Sequence, residues 1–264
     1  MARLEFAERL ADNHEAQIKK TLADLEARII TQIQRSVGPT EILDTRIAID
    51  LRKDIQRFIN ETYRTQTDSF IRDYDKIVGE FLKEFRDLDL PDKFKSLTQV
   101  DLETITRLKN QYFQGFEDIA NRYFNEISGN VYQNAIAGKP FEEIVKDISG
   151  LISGDVDRVG RSMSTYASQI AHDSVMQFDG SFTILKANES GLKKFRYVGS
   201  LVRDSRPFCV KLINSGRSYT KEEIEELHKN RSGEDLKGKA EGDPFIVRGG
   251  YRCRHQWRPV ADDF

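Results

Sequence analysis

The chain has little cysteine, a single tryptophan and almost no net charge. Only Cys209 and Cys253 occur in 264 residues, too few for a disulfide framework, so they are read as thiols or as ligands. No apolar run approaches the roughly 20 residues that a membrane span needs. The first residues, MARLEFAERLADNHE, lack the basic start and apolar centre of a secretory signal. A product made in a cytosolic setting is expected. Hydrophobic residues are 38% and charged ones 32%, the balance of a chain rich in solvated amphipathic helices.

The net charge of -2 hides an asymmetry. Residues 191–264 carry 16 Lys+Arg against 11 Asp+Glu, a net of +5, while residues 1–190 carry 25 against 32, a net of -7. Opposite electrostatic character marks two parts, and the second is expected to meet an acidic or phosphate partner.

Phe6, Leu10, Ile18, Leu22, Leu25, Ile29 and Ile33 lie at helical spacings and form a narrow stripe, with Gly38-Pro39 as the stop. Such a helix would be roughly 50 Å long. Its stripe suits either an oligomerisation or docking arm or a helix packed on its own chain. A second helical pattern runs from about Asp44 to Leu88, with Ile47, Leu51, Ile55 and Phe81 inward and Gly79 as a place to bend. Leu90-Pro91-Asp92 breaks the chain, and Thr98 with Asp101 offers an N-cap for an aromatic-striped helix from Leu102 to Ile127. FEEIVKDISGLI is a short helix, and Ser153-Gly154-Asp155 starts another that reaches about Ala187. Beyond Gly191, KKFRYVGSLV reads as a strand, TKEEIEELH as a helix capped by Thr220, and GGYRCRHQWRPV as extended. The expected fold is therefore mainly α: a helical stalk or bundle over 1–150, a connecting helix over 151–190, and a small α+β module over 191–264.

Chemistry concentrates in the last segment. Cys253 and His255 are two apart and project to one side of an extended chain, where Cys209 could join them. They supply three of the four ligands zinc prefers, with His228 as the first candidate for the fourth and Asp204 next. The same residues would also serve as a packed pair of thiols beside a bonded histidine, or as a Cys–His nucleophile and base. Arg248, Arg252, Arg254 and Arg258 could grip phosphates or carboxylates, with Trp257 stacking beside them, or pair with acids of the helical part.

Taken in order, YASQIAHDSVMQFDGSFT, then KKFRYVGSLVRDSRPFCVKLINSGRSYTKEEI, then GGYRCRHQWRPV resemble the phage Mu F-like family of minor head proteins, over about residues 150–264. That family has a helix, a strand, an Asp-x-Arg-x-x-Cys type segment, a short insertion and a terminal Cys-Arg-Cys or Cys-Arg-His. Here Asp204, Arg206, Pro207 and Cys209 match the first motif, Gly216 and Tyr219 fall in the insertion, and Gly249, Gly250, Cys253 and His255 match the last. His255 stands where a cysteine is common, and GGY where a His-Pro pair is common.

The resemblance implies a non-enzymatic minor capsid protein of a tailed phage. It would sit inside the head near the portal and assist assembly, DNA packaging or DNA delivery. Its expected partners are the portal protein, the major capsid or scaffolding protein, further copies of itself through the helical stalk, and packaged double-stranded DNA, with no membrane in the assembled particle. A Cys–His enzyme of the peptidase kind and a DNA-binding module are the alternatives.

Overall fold

The computed structural model describes residues 2–37, 42–86, 95–154 and 162–260. The expected stop at Gly38-Pro39, the helix end at Leu88, the break at Leu90-Pro91-Asp92 and the helix start at Asp155 lie outside the described residues. The fold is mainly α with a small antiparallel sheet near the C-terminus, as the sequence pattern indicates. In chain order the helices are α1 (Ala2–Ser36), α2 (Thr45–Ile59), α3 (Thr65–Arg86), α4 (Gln99–Ile136), α5 (Phe141–Ile152) and α6 (Met163–Glu189). Then come β1 (Lys194–Val198), α7 (Pro207–Ser215), β2 (Ser218–Thr220), α8 (Lys221–Lys229), α9 (Pro244–Val247) and β3 (Gln256–Val260).

The chain forms two compact units, each assembled from separated stretches. One gathers residues 1–12, 73–109 and 172–264, the other residues 13–72 and 110–171. The boundaries near 150 and 190 read from composition coincide with neither, because a long helix can supply one stretch to each core.

The unit of residues 13–72 and 110–171 is helical. Its core takes Ile18, Leu22, Leu25, Ile29 and Ile33 from α1, with apolar side chains of α2, α4, α5 and α6. These five stripe positions are at most 1% exposed, so the seam considered as a self-association arm is covered by the chain's own helices. Between α2 and α3 the helix continues as one wide turn, Asn60–Arg64, of π type. Here the Thr62 hydroxyl donates to the Phe58 carbonyl at 2.5 Å. Irregularity therefore falls at the π turn, while Gly79 sits inside an uninterrupted α3. Ile47, expected inward, is 37% exposed, and Ala48 takes the buried position.

In the other unit, Tyr74 packs on Phe178 and Phe81 on Phe182, with ring centroids 4.9 and 4.7 Å apart. Thr98 and Asp101 cap α4 reciprocally: Thr98 N–H donates to the carboxylate at 2.7 Å and Asp101 N–H to the hydroxyl at 3.1 Å. Leu102, read as inward, is exposed. The sheet has the order β2-β1-β3, antiparallel throughout, with Phe195 opposite Tyr219 and Tyr197 opposite Trp257. Along β1, Phe195 and Tyr197 are buried while Lys194 and Arg196 are exposed, the alternation expected of a strand with one covered face. Phe195, Tyr197, Phe208, Leu212, Phe245 and Trp257 belong to one hydrophobic cluster.

Two extended readings are shortened. β1 stops at Val198 instead of Val202, and of GGYRCRHQWRPV only Gln256–Val260 is strand. The preceding residues turn, with Arg248 at φ 52° and Arg252 at φ 55°, and a left-handed backbone cannot continue a pleated strand.

Candidate metal centre

Cys209 is carried by α7, a helix that starts with Pro207 at its first turn and ends with Gly216 at φ 58°, positions that favour these two residue types. Phe208 and Leu212 face the hydrophobic cluster, and the same burial turns Cys209 inward. Cys253 and His255 lie on the irregular segment just before β3. Arg206 joins the two stretches, since its guanidinium donates to the Tyr251 carbonyl.

Among the described residues, Cys209, Cys253 and His255 form one group whose donor atoms all lie within 4.8 Å of one another. The two sulfurs are 3.9 Å apart, and Cys253 Sγ is 3.6 Å from His255 Nδ1. A tetrahedral zinc ion with its usual bond lengths separates two sulfur ligands by about 3.8 Å and a sulfur and a nitrogen ligand by about 3.6 Å. Two of the group's edges thus have the lengths of a zinc tetrahedron. The donor set, two thiols and an imidazole, is one that zinc favours over magnesium or calcium.

His228, the expected fourth ligand, does not join the group. It is a buried side chain of α8, where burial, together with Arg231 and Lys239, holds its imidazole below the ordinary range. Asp204 is exposed and borders the same recess as the three donors.

The surroundings bias the two thiols in opposite directions. Cys209 is pushed well up, first by its hydrogen bond to Cys253 and then by burial. Burial acts on Cys253 in the same sense, but the bonds to Cys209 and His255 and the charge of Arg248 outweigh it, so that this thiol lies well below the usual range. The two sulfurs, in hydrogen-bond contact, therefore favour sharing a single proton over losing both. Tyr197, whose hydroxyl is 3.3 Å from Cys253 Sγ and 3.5 Å from Cys209 Sγ, has its ionisation pushed far up by burial and the neighbouring sulfurs, so it stays a phenol. The His255 ring stacks on Tyr197, centroids 5.5 Å apart.

The glycine pair is required by space. A β-carbon at Gly249 would collide with Cys209 Sγ and stand 2.9 Å from Cys253 Sγ, and one at Gly250, whose φ is 117°, would overlap the Gly238 carbonyl.

The arginines divide. Arg248 is 1% exposed and donates to the Cys253 carbonyl at 3.4 Å, so its charge stays inside the fold. Arg258 is mostly buried and pairs with Glu84, because alternate positions of β3 point away from the cluster that receives Trp257. Trp257, 3% exposed and tilted against Tyr197, is core and offers no stacking surface to a partner. Arg254 grips both carboxylate oxygens of Asp12 at 2.9 Å. Arg252 is exposed, and its backbone N–H donates to Asp173 at 2.6 Å.

Sequence patterns gave no sign of Asp12, Glu8, His172 or Tyr197 near this centre. Burial pushes the Glu8 carboxyl up against the opposing pull of Arg254 and His255, a relation between the two ends of the chain that no local spacing encodes. Comparison with protein-family models, curated proteins and solved structures finds no match to this chain. No helix among the described residues is long and apolar enough to cross a membrane.

Proposed function

We propose that this chain is a minor head protein of a tailed phage, working at the portal inside the head in assembly, DNA packaging or DNA delivery. In this reading its C-terminal segments are held together by a zinc ion at Cys209, Cys253 and His255, whose fourth position no side chain among the described residues fills. One observation carries it: the two stretches bearing the family resemblance, 204–209 and 249–255, meet at the residues that bear it. Cys209 lies against Cys253 and Gly249, and Arg206 bonds Tyr251. The motif is then a device for joining α7 to the segment before β3 beside the hydrophobic cluster that both contribute to. When bound, zinc would supply a cross-link between α7 and the segment before β3, with Tyr197 donating to the sulfurs.

The portal, the major capsid or scaffolding protein and packaged DNA are the partners this reading carries. Self-association through the α1 stripe is not part of it, because that stripe is buried. Mass spectrometry of purified virions and procapsids tests the role: the chain is expected in both, and its absence from both overturns the reading.

A Cys–His enzyme is the second reading, favoured by the 3.6 Å approach of His255 Nδ1 to Cys253 Sγ and the lowered thiol. Against it, each cysteine is 1% exposed, and a nucleophile must be reached. Iodoacetamide at neutral pH separates the two. The structural reading expects slow labelling of both thiols in the folded protein, and rapid labelling of Cys253 would favour the enzyme.

A further inference from the structure

The recess beside the cysteines has a volume of about 880 Å³, within the range of small-molecule sites. Its charge is one-sided. Arg203, Arg206, Lys237, Arg252 and Arg254 line it, and Asp204 is the one acid among its described lining residues. Arg254 is balanced by Asp12, and Arg206 is committed to the Tyr251 carbonyl. Arg203 and Lys237 have no ion pair among the described residues.

Two features fix the backbone that carries Arg203 and Arg252. A turn puts Arg203 at its tip: Ser205 N–H donates to the Val202 carbonyl at 2.9 Å and Val202 N–H to the Ser205 hydroxyl at 2.8 Å. Arg252 occupies a left-handed backbone conformation that a branched or bulky residue rarely adopts, fixed by its N–H bond to Asp173. A third feature points to a ligand. His172 lines the recess at 1% exposure, its Nδ1 turned to Asp173 at 3.4 Å and its Nε2 buried with no hydrogen-bond partner. A buried polar atom in that state is costly unless something bonds it.

We propose that this recess binds a phosphate-bearing ligand, with Arg203, Lys237 and Arg252 facing its charged oxygens and His172 Nε2 supplying the buried polar contact. Several cations around one concavity suit a multiply charged anion, whereas a single carboxylate is matched by one guanidinium. The phosphate could belong to a small free compound or to a nucleic-acid backbone, and the recess chemistry is common to both. Cys209, Cys253 and His255 also line this recess, so the inference shares a cavity with the zinc reading but not its residues, because none of the three binding cations is a metal donor.

The test is calorimetric titration of the full chain with inorganic pyrophosphate, repeated with the Arg203→Gln/Lys237→Gln double variant, both sites being exposed. Saturable binding that weakens with added salt is expected, with affinity lower by about tenfold or more in the variant, equivalent to about 1.4 kcal/mol. The thermal midpoint and zinc content should be unchanged. No binding by the wild type at millimolar pyrophosphate, or equal binding by the variant, would overturn the site. A short single-stranded oligodeoxynucleotide that displaces pyrophosphate assigns the ligand to nucleic acid; failure to displace it, with variant-sensitive binding retained, assigns a small phosphate compound. Absence of zinc alongside intact pyrophosphate binding would sink the metal reading and leave this one standing.

Discussion

Gly249 leaves no room for a β-carbon beside Cys209: the sulfur lies where that carbon would go, with Cys253 Sγ 2.9 Å and the Tyr197 hydroxyl 3.3 Å from the same point. Gly249→Ala should therefore destabilise the protein by about 1–3 kcal/mol, the cost of forcing an extra group into a packed site. Gly129→Ala, inside α4 where a β-carbon meets nothing within 4 Å, should be neutral or stabilise by up to about 1 kcal/mol through helix propensity. Urea unfolding of the two variants side by side checks both signs.

Lys186 and Asp101 form a buried ion pair, 2.9 Å apart with both side chains at 0% exposure, and Glu189 joins Lys186 at 2.8 Å. Burial pushes the Asp101 carboxyl up, but the Thr98 N–H and Lys186 outweigh it and hold it below the usual range. Stability from such a group is present above the ordinary aspartate range of about 3.9 and is lost as pH falls through the folded value. Lys186→Met leaves the carboxylate buried without its cation and should cost about 3–5 kcal/mol near neutral pH. The gap between variant and wild type should narrow as pH falls through the acid range, because a protonated Asp101 no longer needs the lysine. Denaturation midpoints measured from neutral pH downward test this.

Thr220 caps α8 with a full capping box, its hydroxyl accepting from Glu223 N–H and the Glu223 carboxylate accepting from Thr220 N–H. Thr220→Ala should cost about 1 kcal/mol, and Thr220→Ser much less. The same unfolding assay resolves the two.

These two caps show what a sequence can disclose. Thr98 with Asp101 and Thr220 with TKEEIEELH are local signals, and the structure makes both bonds. The α1 stripe was also legible as a stripe, but not what covers it, since α2, α4, α5 and α6 bring its cover from far along the chain. α7 went unread although Pro207 and Gly216 stood at its ends: with only Phe208, Cys209 and Leu212 buried, its period is too short to distinguish. In the last segment, GGYRCRHQWRPV reads as extended, but positive φ at Arg252 interrupts the strand, and Arg248 just before it, also at positive φ, is buried. The cluster of Cys209, Cys253 and His255 was legible because two of its members are neighbours in sequence. Its fourth candidate, His228, was not excluded until α8 fixed where that ring lies.

The metal content of protein purified without chelator tests the central claim most directly. About one equivalent of zinc per chain is expected by elemental analysis, falling in Cys209→Ser and His255→Ala, with a lower unfolding midpoint after chelation. Less than about a tenth of an equivalent in a fully folded, chelator-indifferent protein would contradict a zinc-closed fold and leave the two thiols and the imidazole as packing alone.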